Sequence, residues 1–438
     1  MEWKKVKLKS IFKQYRIEHR VQDDIVYKQV TISKHTGVSF RGEKLGKEIG
    51  RKRQFVIDLD LHPHTLMFVR QGVQDGSIGF APLEVNKCIV TENMPMFSVE
   101  DVDVEFIKSY IESSLFKDIL NSLSTKGAAQ KSIHEKELLE VEILIPESLE
   151  DQKAFGKLIK DSTKNSNNIS TEITHQLDLI KNLRQAFLRE AMQGLLVSNE
   201  TNDDKTGADL LAEIQAEKAQ LVKEKKIKKP KPLAPITEEE MPFDIPENWT
   251  WCRVGDLSYS IVPNRDKPKS FTGHIPWITQ TNFSEKSFYL DYSLTDKGLS
   301  IEETNLYNCR VMPKDSIVMS CVGRFDLVCL LDKPIVANQQ LHCFVPFSNL
   351  SPKYLAYSIK QFSNLLIDKA IKTTISYINK EKCESIFIPL PPLEIQERIV
   401  AKLDELMGYC DALETQVKQS QQTNALLLQQ VLREALGA

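Results

Sequence analysis

Few residues in this chain have the spacing that catalysis needs. His62 and His64, in the run HPH, lie two apart, a spacing that on a strand turns both imidazoles one way and can begin a metal site. No further ligand cluster accompanies them, so the segment reads as a turn and no metal site is expected. The run GVQDGSIG at 72–79 is glycine-rich like a phosphate cradle, but no Lys-Ser/Thr pair follows, and it reads as a loop between strands. A GxxxxGK loop, an HExxH pair and the Asp/Asn-Pro-Pro-aromatic motif of an amino-methyltransferase are all missing from the sequence. In so long a chain these absences favour a recognition or scaffold protein over an enzyme, and no catalytic residue is assigned.

Recognition chemistry is better represented. Arg matches the acceptor edge of guanine, Asn and Gln match adenine, and Lys and hydroxyls hold phosphate. In the C-terminal half, Thr279, Gln280 and Asn282 follow a strand-like run in IPWITQTNF, and Arg324 stands in VGRF. ANQQL supplies Asn338, Gln339 and Gln340, and IKTTISYINK supplies Lys372, Thr373 and Tyr377. In the N-terminal half the candidates are Arg41, Arg51 and Arg53 in RGEKLGKEIGRKRQ, Arg70 and Gln71 in FVRQGVQDG, and Lys126, Gln130 and Lys131 in STKGAAQKSIHEK. As sets on loops these are candidate DNA contacts. The formal net charge is only −3, yet residues 1–53 hold 15 Lys and Arg against 6 Asp and Glu, a bias compatible with nucleic-acid binding.

The elements that position these loops are written twice. At a fixed offset of 244, fourteen of the sixty positions in 132–191 recur in 376–435. They include Ser132/Ser376, Glu140/Glu384, Leu149/Leu393, Glu150/Glu394, Gln152/Gln396 and the block LREA. WKKV at 3–6 echoes WCRV at 251–254. The expected fold is therefore α/β (α+β), a tandem duplication of one unit, an α/β domain followed by one long helix.

Both helices carry heptad seams. The first runs Phe155, Ile159, Ser162, Ser166, Ile169, Ile173, Gln176, Ile180, Leu183, Phe187; the second runs Ile399, Leu403, Leu406, Cys410, Leu413, Val417, Ser420, Asn424, Leu427, Val431. Laid antiparallel with 155 opposite 431, Ser162 faces Asn424, Ser166 faces Ser420, Ile159 faces Leu427, Ile169 faces Val417, Ile173 faces Leu413 and Leu183 faces Leu403. A parallel pairing sets Ser162 on Leu406 and Asn424 on Ile180, and each unpartnered buried polar group costs ~1–3 kcal/mol. The expectation is an intramolecular antiparallel coiled coil, a rod of roughly 50 Å with one domain at each end.

Between the halves, Leu211, Ile214, Lys218 and Leu221 stand at helical spacing, and the basic run KEKKIKKPKP reaches Pro230 and Pro232, which are expected to stop that helix. The domain boundaries follow: 1–146, first α/β domain; 147–197, first helical region; 198–245, linker; 246–388, second α/β domain; 389–438, second helical region. The eight cysteines form no CxxC pair and read as reduced core thiols. With no apolar run long enough for a membrane helix and no apolar segment behind MEWKKVKLKS, a cytoplasmic protein without a membrane partner is expected.

IFIPLPPLEIQERIVAKLDEL, its fainter copy IPESLEDQ in mid-chain, and IQAEKAQLVKEKKIKKPKPLAPITEEEMPFDIPENW between them resemble the specificity (S) subunits of type I restriction-modification systems, over the whole chain. The first copy departs from the pattern by lacking the double proline. The resemblance implies a subunit without a catalytic site, each of whose domains reads one part of a bipartite, asymmetric double-stranded DNA site. It implies two methyltransferase subunits, which methylate adenine with S-adenosylmethionine, and two restriction subunits using ATP and Mg; this chain itself would bind no cofactor. The competing reading is a coiled-coil scaffold with two protein-binding domains.

Overall fold

Each half of the chain opens and closes on the same short ladder. Trp3–Lys7 pairs antiparallel with Glu142–Pro146, and Thr250–Arg253 with Phe387–Leu390. The closing strand of each ladder runs straight into a long helix, Leu149–Met192 or Leu393–Ala435. The computed structural model describes residues 2–123, 133–202, 204–264, 266–284, 287–363 and 377–435. The chain divides into two compact units, Met1–His175 with Lys418–Ala438, and Gln176–Val417. Among the described residues no helix is long and apolar enough to cross a membrane.

The duplication is plain in the sheets. The first unit holds a four-stranded antiparallel sheet in the order Phe12–Tyr15, Met96–Val99, Leu66–Phe68, Ile78–Phe80. The second repeats it as Ser258–Ile261, Leu341–Pro346, Ile317–Ser320, Val328–Leu330. Central strands such as Ile317–Ser320 are buried at every residue, as a sheet covered on both faces requires. A helix covers each sheet. Val104–Glu112 packs Phe106, Ile107 and Tyr110 with Leu66, Phe68 and Phe97, and Pro352–Phe362 packs Tyr354, Leu355 and Ile359 with Ile317, Met319 and Phe344. Asp103 and Ser351 are the N-caps, each side chain accepting from the backbone three residues on. The units differ in what is added: a five-stranded sheet spanning Glu18–Val90 in the first, and a three-stranded one built on Ile275–Ile278 in the second.

The repeated glutamine now has a role. Gln152 and Gln396, 1% and 0% exposed, each join three segments. Gln152 Nε2 donates to the Pro146 carbonyl at 2.8 Å and its Oε1 accepts from Asp103 N at 2.8 Å. Gln396 Nε2 donates to the Pro391 carbonyl at 2.9 Å and its Oε1 accepts from Ser351 N at 3.0 Å. In both units one amide side chain ties the end of the closing strand, the start of the long helix and the cap of the sheet-covering helix.

The long helices pair antiparallel. In the first unit Ile159 shares a core with Leu432 and Leu428, while Asn424 Nδ2 donates to the Ser166 carbonyl at 3.0 Å and to Ser170 Oγ at 3.1 Å. In the second, Arg184 meets Asp411 at 2.7 Å and Glu414 at 3.1 Å, and Leu188, Ala191 and Met192 share a core with Ile399 and Leu403. The register is not the one expected. Asn424 meets Ser166 and Ser170, about a turn beyond Ser162, so the Ser162–Asn424 and Ser166–Ser420 layers do not form as drawn. One heptad row is in place: Ile159, Ser166, Ile173 and Ile180 are buried, as is Leu403, and Val417 and Asn424 are half-buried. The alternate row moves by one residue to Thr163, Ser170, Leu177 and Arg184, leaving Ser162 half-buried and Ile169, Leu183, Leu413 and Leu427 exposed at 48%, 38%, 44% and 57%. Ser420 is exposed too. Matching apolar to apolar preferred Ile169 and Leu183; what decides the seam is that Asn424 and an acidic pair make Ser170 and Arg184 acceptable inside it.

The join differs as well. Its helix, Gly207–Lys223, packs Leu210 and Ile214 into the second unit's core. It ends before either proline, because Lys225 takes a left-handed conformation (φ 60°) and Lys226 N bonds back to the Leu221 carbonyl at 2.9 Å. The extended stretch beyond is pinned by the buried Arg253, whose guanidinium donates to the carbonyls of Ala234, Pro235 and Ser385 and to Glu240.

Candidate nucleic-acid interface

In the second unit, three scattered segments converge on the loop after Ile317–Ser320. The Val322 carbonyl accepts from Gln280 Nε2 at 3.1 Å, Ser320 Oγ at 3.0 Å and Arg324 N at 2.9 Å, with Gly323 supplying the φ of 72° that turns the chain back. Cys321 N donates to the Gln340 carbonyl at 2.8 Å, Ile378 N to the Cys321 carbonyl at 3.0 Å, and Tyr377 bridges to Val322. Asn338 N donates to the Ile278 carbonyl, and Asn338 and Gln340 bond each other's side chains and backbone. Gln280, Arg324, Asn338, Gln339, Gln340 and Tyr377 are thereby gathered, with Gln339, Arg324 and Tyr377 the exposed ones. Arg324 pairs with Asp326 at 2.8 Å, and that hydrogen bond holds the Asp326 carboxyl below the usual range.

Two candidates from IPWITQTNF serve the fold instead. Asn282 is 1% exposed: its Oδ1 accepts from Thr279 N and its Nδ2 donates to the Asp291 carbonyl, so none of it faces solvent. Thr279 is half-buried as the cap of the turn Gln280–Asn282. Polar type alone could not separate Asn282 from Gln339; only the turn that consumes its amide does.

The first unit offers an equivalent loop, 69–77, which holds the first six residues of the GVQDGSIG run, the last two opening the strand Ile78–Phe80. Ile133 N donates to the Arg70 carbonyl at 3.1 Å, as Ile378 N does to Cys321 in the second unit. Gln71 is exposed there. Arg70 is not free: it grips Glu135 through two hydrogen bonds, one of 3.0 Å from Nε, and that bond raises the guanidinium pKa further. Arg53 is paired with Glu18, Arg51 lies 3.6 Å from Glu92, and Arg41 is exposed on the strand Gly37–Leu45. Lys5, Lys7, Lys9, Lys13 and Lys52 also have carboxylate partners, so much of the basic bias of residues 1–53 is neutralised within the fold. Lys126, Gln130, Lys131, Lys372 and Thr373 lie outside the described residues. His62 stacks on Tyr15 in a turn, with ring centroids 3.8 Å apart.

A model of the family described as the type I restriction modification DNA specificity domain matches residues 246–421, which include the whole gathered loop cluster of the second unit. The specificity subunit of the EcoAI type I restriction enzyme of Escherichia coli is 29% identical over 299 residues, 63% of this chain and 48% of that protein. The EcoEI specificity subunit, also from Escherichia coli, is 26% identical over 310 residues, 66% and 50% of the two chains. Residues 246–421 thus match the type I DNA specificity domain, and the chain is similar over about two thirds of its length to type I specificity subunits. It spans about half the length of those two curated relatives. The fold is shared with solved chains. A chain solved in work on complex assembly and conformational transition of the type I R-M system superposes with a TM-score of 0.71 at 17% identity, covering 99% of this chain and 97% of that one. The HsdS subunit from Thermoanaerobacter tengcongensis gives 0.57 at 18% identity, covering 99% and 96%. Both solved chains share with this one the mixed α/β domains, each followed by a long helix, with the two helices paired.

Proposed function

We propose that this chain is the non-catalytic sequence-reading subunit of a type I restriction-modification complex. Each recognition domain, 1–146 and 246–388, reads one half of a bipartite, asymmetric double-stranded DNA site. The helical regions 147–197 and 389–438 set the unread spacer and dock two methyltransferase subunits, which methylate adenine with S-adenosylmethionine. Two restriction subunits, using ATP and Mg, join to cleave unmodified DNA. The observation that carries the reading is the DNA specificity domain over 246–421 on a unit whose four-stranded sheet and glutamine tie are repeated in the first half. Gln339, Arg324 and Tyr377 are the side chains in reach of the second half-site, and Gln71 and Arg41 of the first; Arg70 and Arg324 read only if they exchange a carboxylate for a base or phosphate.

The test is co-expression with an adjacent methyltransferase subunit and mapping of methylated adenine across a host genome. One two-part motif methylated on both strands is the expected result. Association of the two folded proteins without methylation sinks the reading and favours a scaffold. Deleting one heptad from both helices should change the spacer and leave both half-sites as they were.

A further inference from the structure

Beneath the second unit's loop lie three side chains that the recognition reading does not use. Cys321 follows the strand Ile317–Ser320, His342 lies on Leu341–Pro346, and Cys383 on the helix Lys380–Glu384. They are 8%, 2% and 0% exposed, and one ligand atom from each lies within 4.8 Å of the others. The two Sγ atoms are 3.6 Å apart. Sulfurs bound at ~2.3 Å to one tetrahedral zinc stand roughly 3.8 Å apart, so the thiols already hold nearly the spacing of a ligand pair.

We propose that Cys321, His342 and Cys383 bind a zinc ion. Two thiolates and a neutral imidazole on Zn(II) make a site of no net charge, which can be buried where an isolated ion could not. Soft sulfur with imidazole selects zinc over the hard cations. As each metal–sulfur bond forms, the thiol proton leaves to solvent, so two protons are released per zinc, and one water completes the tetrahedron. The surroundings orient the histidine for this. His342 Nε2 lies 2.9 Å from Ser260 Oγ, which donates to Glu384 Oε1 at 2.7 Å. A ring N–H given to that relay leaves Nδ1 for the metal, the outer-shell arrangement that fixes a ligating imidazole.

The site's place in the fold explains why it is worth building. The Cys321 and Arg70 carbonyls accept equivalent backbone bonds from Ile378 and Ile133. In the first unit the side chain at that point grips Glu135, bracing the loop against the first residue of the short helix Glu135–Leu139. Zinc would supply the same brace in the second unit, joining Cys321 of the loop to Cys383 of the equivalent short helix.

The full chain, purified from zinc-supplemented cells without a metal-affinity step, is assayed by elemental analysis. About one zinc per chain is expected, falling to background in Cys383→Ser and His342→Ala and unchanged in Cys343→Ser, a buried thiol outside the cluster. If those variants do not fold, Co(II) added to the metal-stripped wild-type chain decides: thiolate-to-cobalt charge transfer with tetrahedral d–d bands supports the site. Only background zinc in the wild type with no such bands overturns it, and so does a Cys321–Cys383 disulfide in the native chain. On the reading proposed above, stripping zinc loosens recognition of the second half-site alone; metal content is measured without DNA, so the two ideas fail separately.

Discussion

Replacing Gln396 by Met keeps a side chain of similar length at a fully buried site and deletes both of its hydrogen bonds. The Pro391 carbonyl bond is buried and the Ser351 N–H bond half-buried. An orphaned buried acceptor costs ~1–3 kcal/mol and a partly solvated bond ~0.5–1.5 kcal/mol, so the substitution should destabilise the second unit by about 2–4 kcal/mol. Gln152→Met removes the same pair of bonds in the first unit and should cost a similar amount there. Urea unfolding of the intact chain followed by tryptophan fluorescence separates the two, because Trp3 reports the first unit and Trp249, Trp251 and Trp277 the second. Gln396→Met should move the main fluorescence transition, and Gln152→Met the Trp3 component. If both variants stay within about 0.5 kcal/mol of the parent, the level of an ordinary surface change, the glutamines are not the ties described here.

Three further outcomes are expected. A Ser170→Cys/Asn424→Cys pair should cross-link readily under mild oxidation and a Ser162→Cys/Asn424→Cys pair only slowly; the reverse order would restore the register read from the sequence. Asn282→Ala should cost about 1–3 kcal/mol by removing two half-buried hydrogen bonds of ~0.5–1.5 kcal/mol each, whereas Gln339→Ala should leave the denaturation midpoint alone and, on the proposed function, lower methylation at the second half-site; equal loss of stability in both would refute their separation into structural and reading roles. Glu303, 7% exposed, accepts from Ser270 Oγ and from the backbone of Thr272 and Ser300, which hold its carboxyl at about 2 against an ordinary 4.5. A carboxyl lowered on folding contributes stability that is complete above its unfolded value and is lost as pH falls through its folded one. Glu303→Gln should therefore flatten the loss of stability between about pH 4.5 and pH 2, and an unchanged acid limb would count against it.

The large features were legible because a duplication reports itself at fixed offset. The α/β units, the long helices and their antiparallel sense all follow from that offset and from heptad spacing. What escaped was whatever depends on a partner far away in sequence. Nothing near Arg70 or Arg53 announces Glu135 or Glu18, so residue type gave readers where the fold has ion pairs. The register slipped because a polar seam was judged by its cost alone, when Asn424, Ser170 and the Arg184–acid cluster satisfy one another. The linker helix was expected to run to a proline, but Lys225 ends it sooner in a left-handed turn that lysine does not advertise. Gln152 and Gln396 were visible as identities, while the bonds that explain them join segments some fifty positions apart.

The two stems have an evolutionary consequence. Because Trp3–Lys7 pairs with Glu142–Pro146, and Thr250–Arg253 with Phe387–Leu390, the chain of each α/β domain leaves its ladder beside the place where it entered. Everything between the paired strands is a cassette closed at its neck. A genetic crossover within the two strand-coding stretches exchanges that cassette whole, without lengthening or cutting either helix. Provided the incoming neck preserves the ladder and the cap that the glutamine grips, the exchange leaves both long helices as they were; on the function proposed above, that is a change of target in one recombination event.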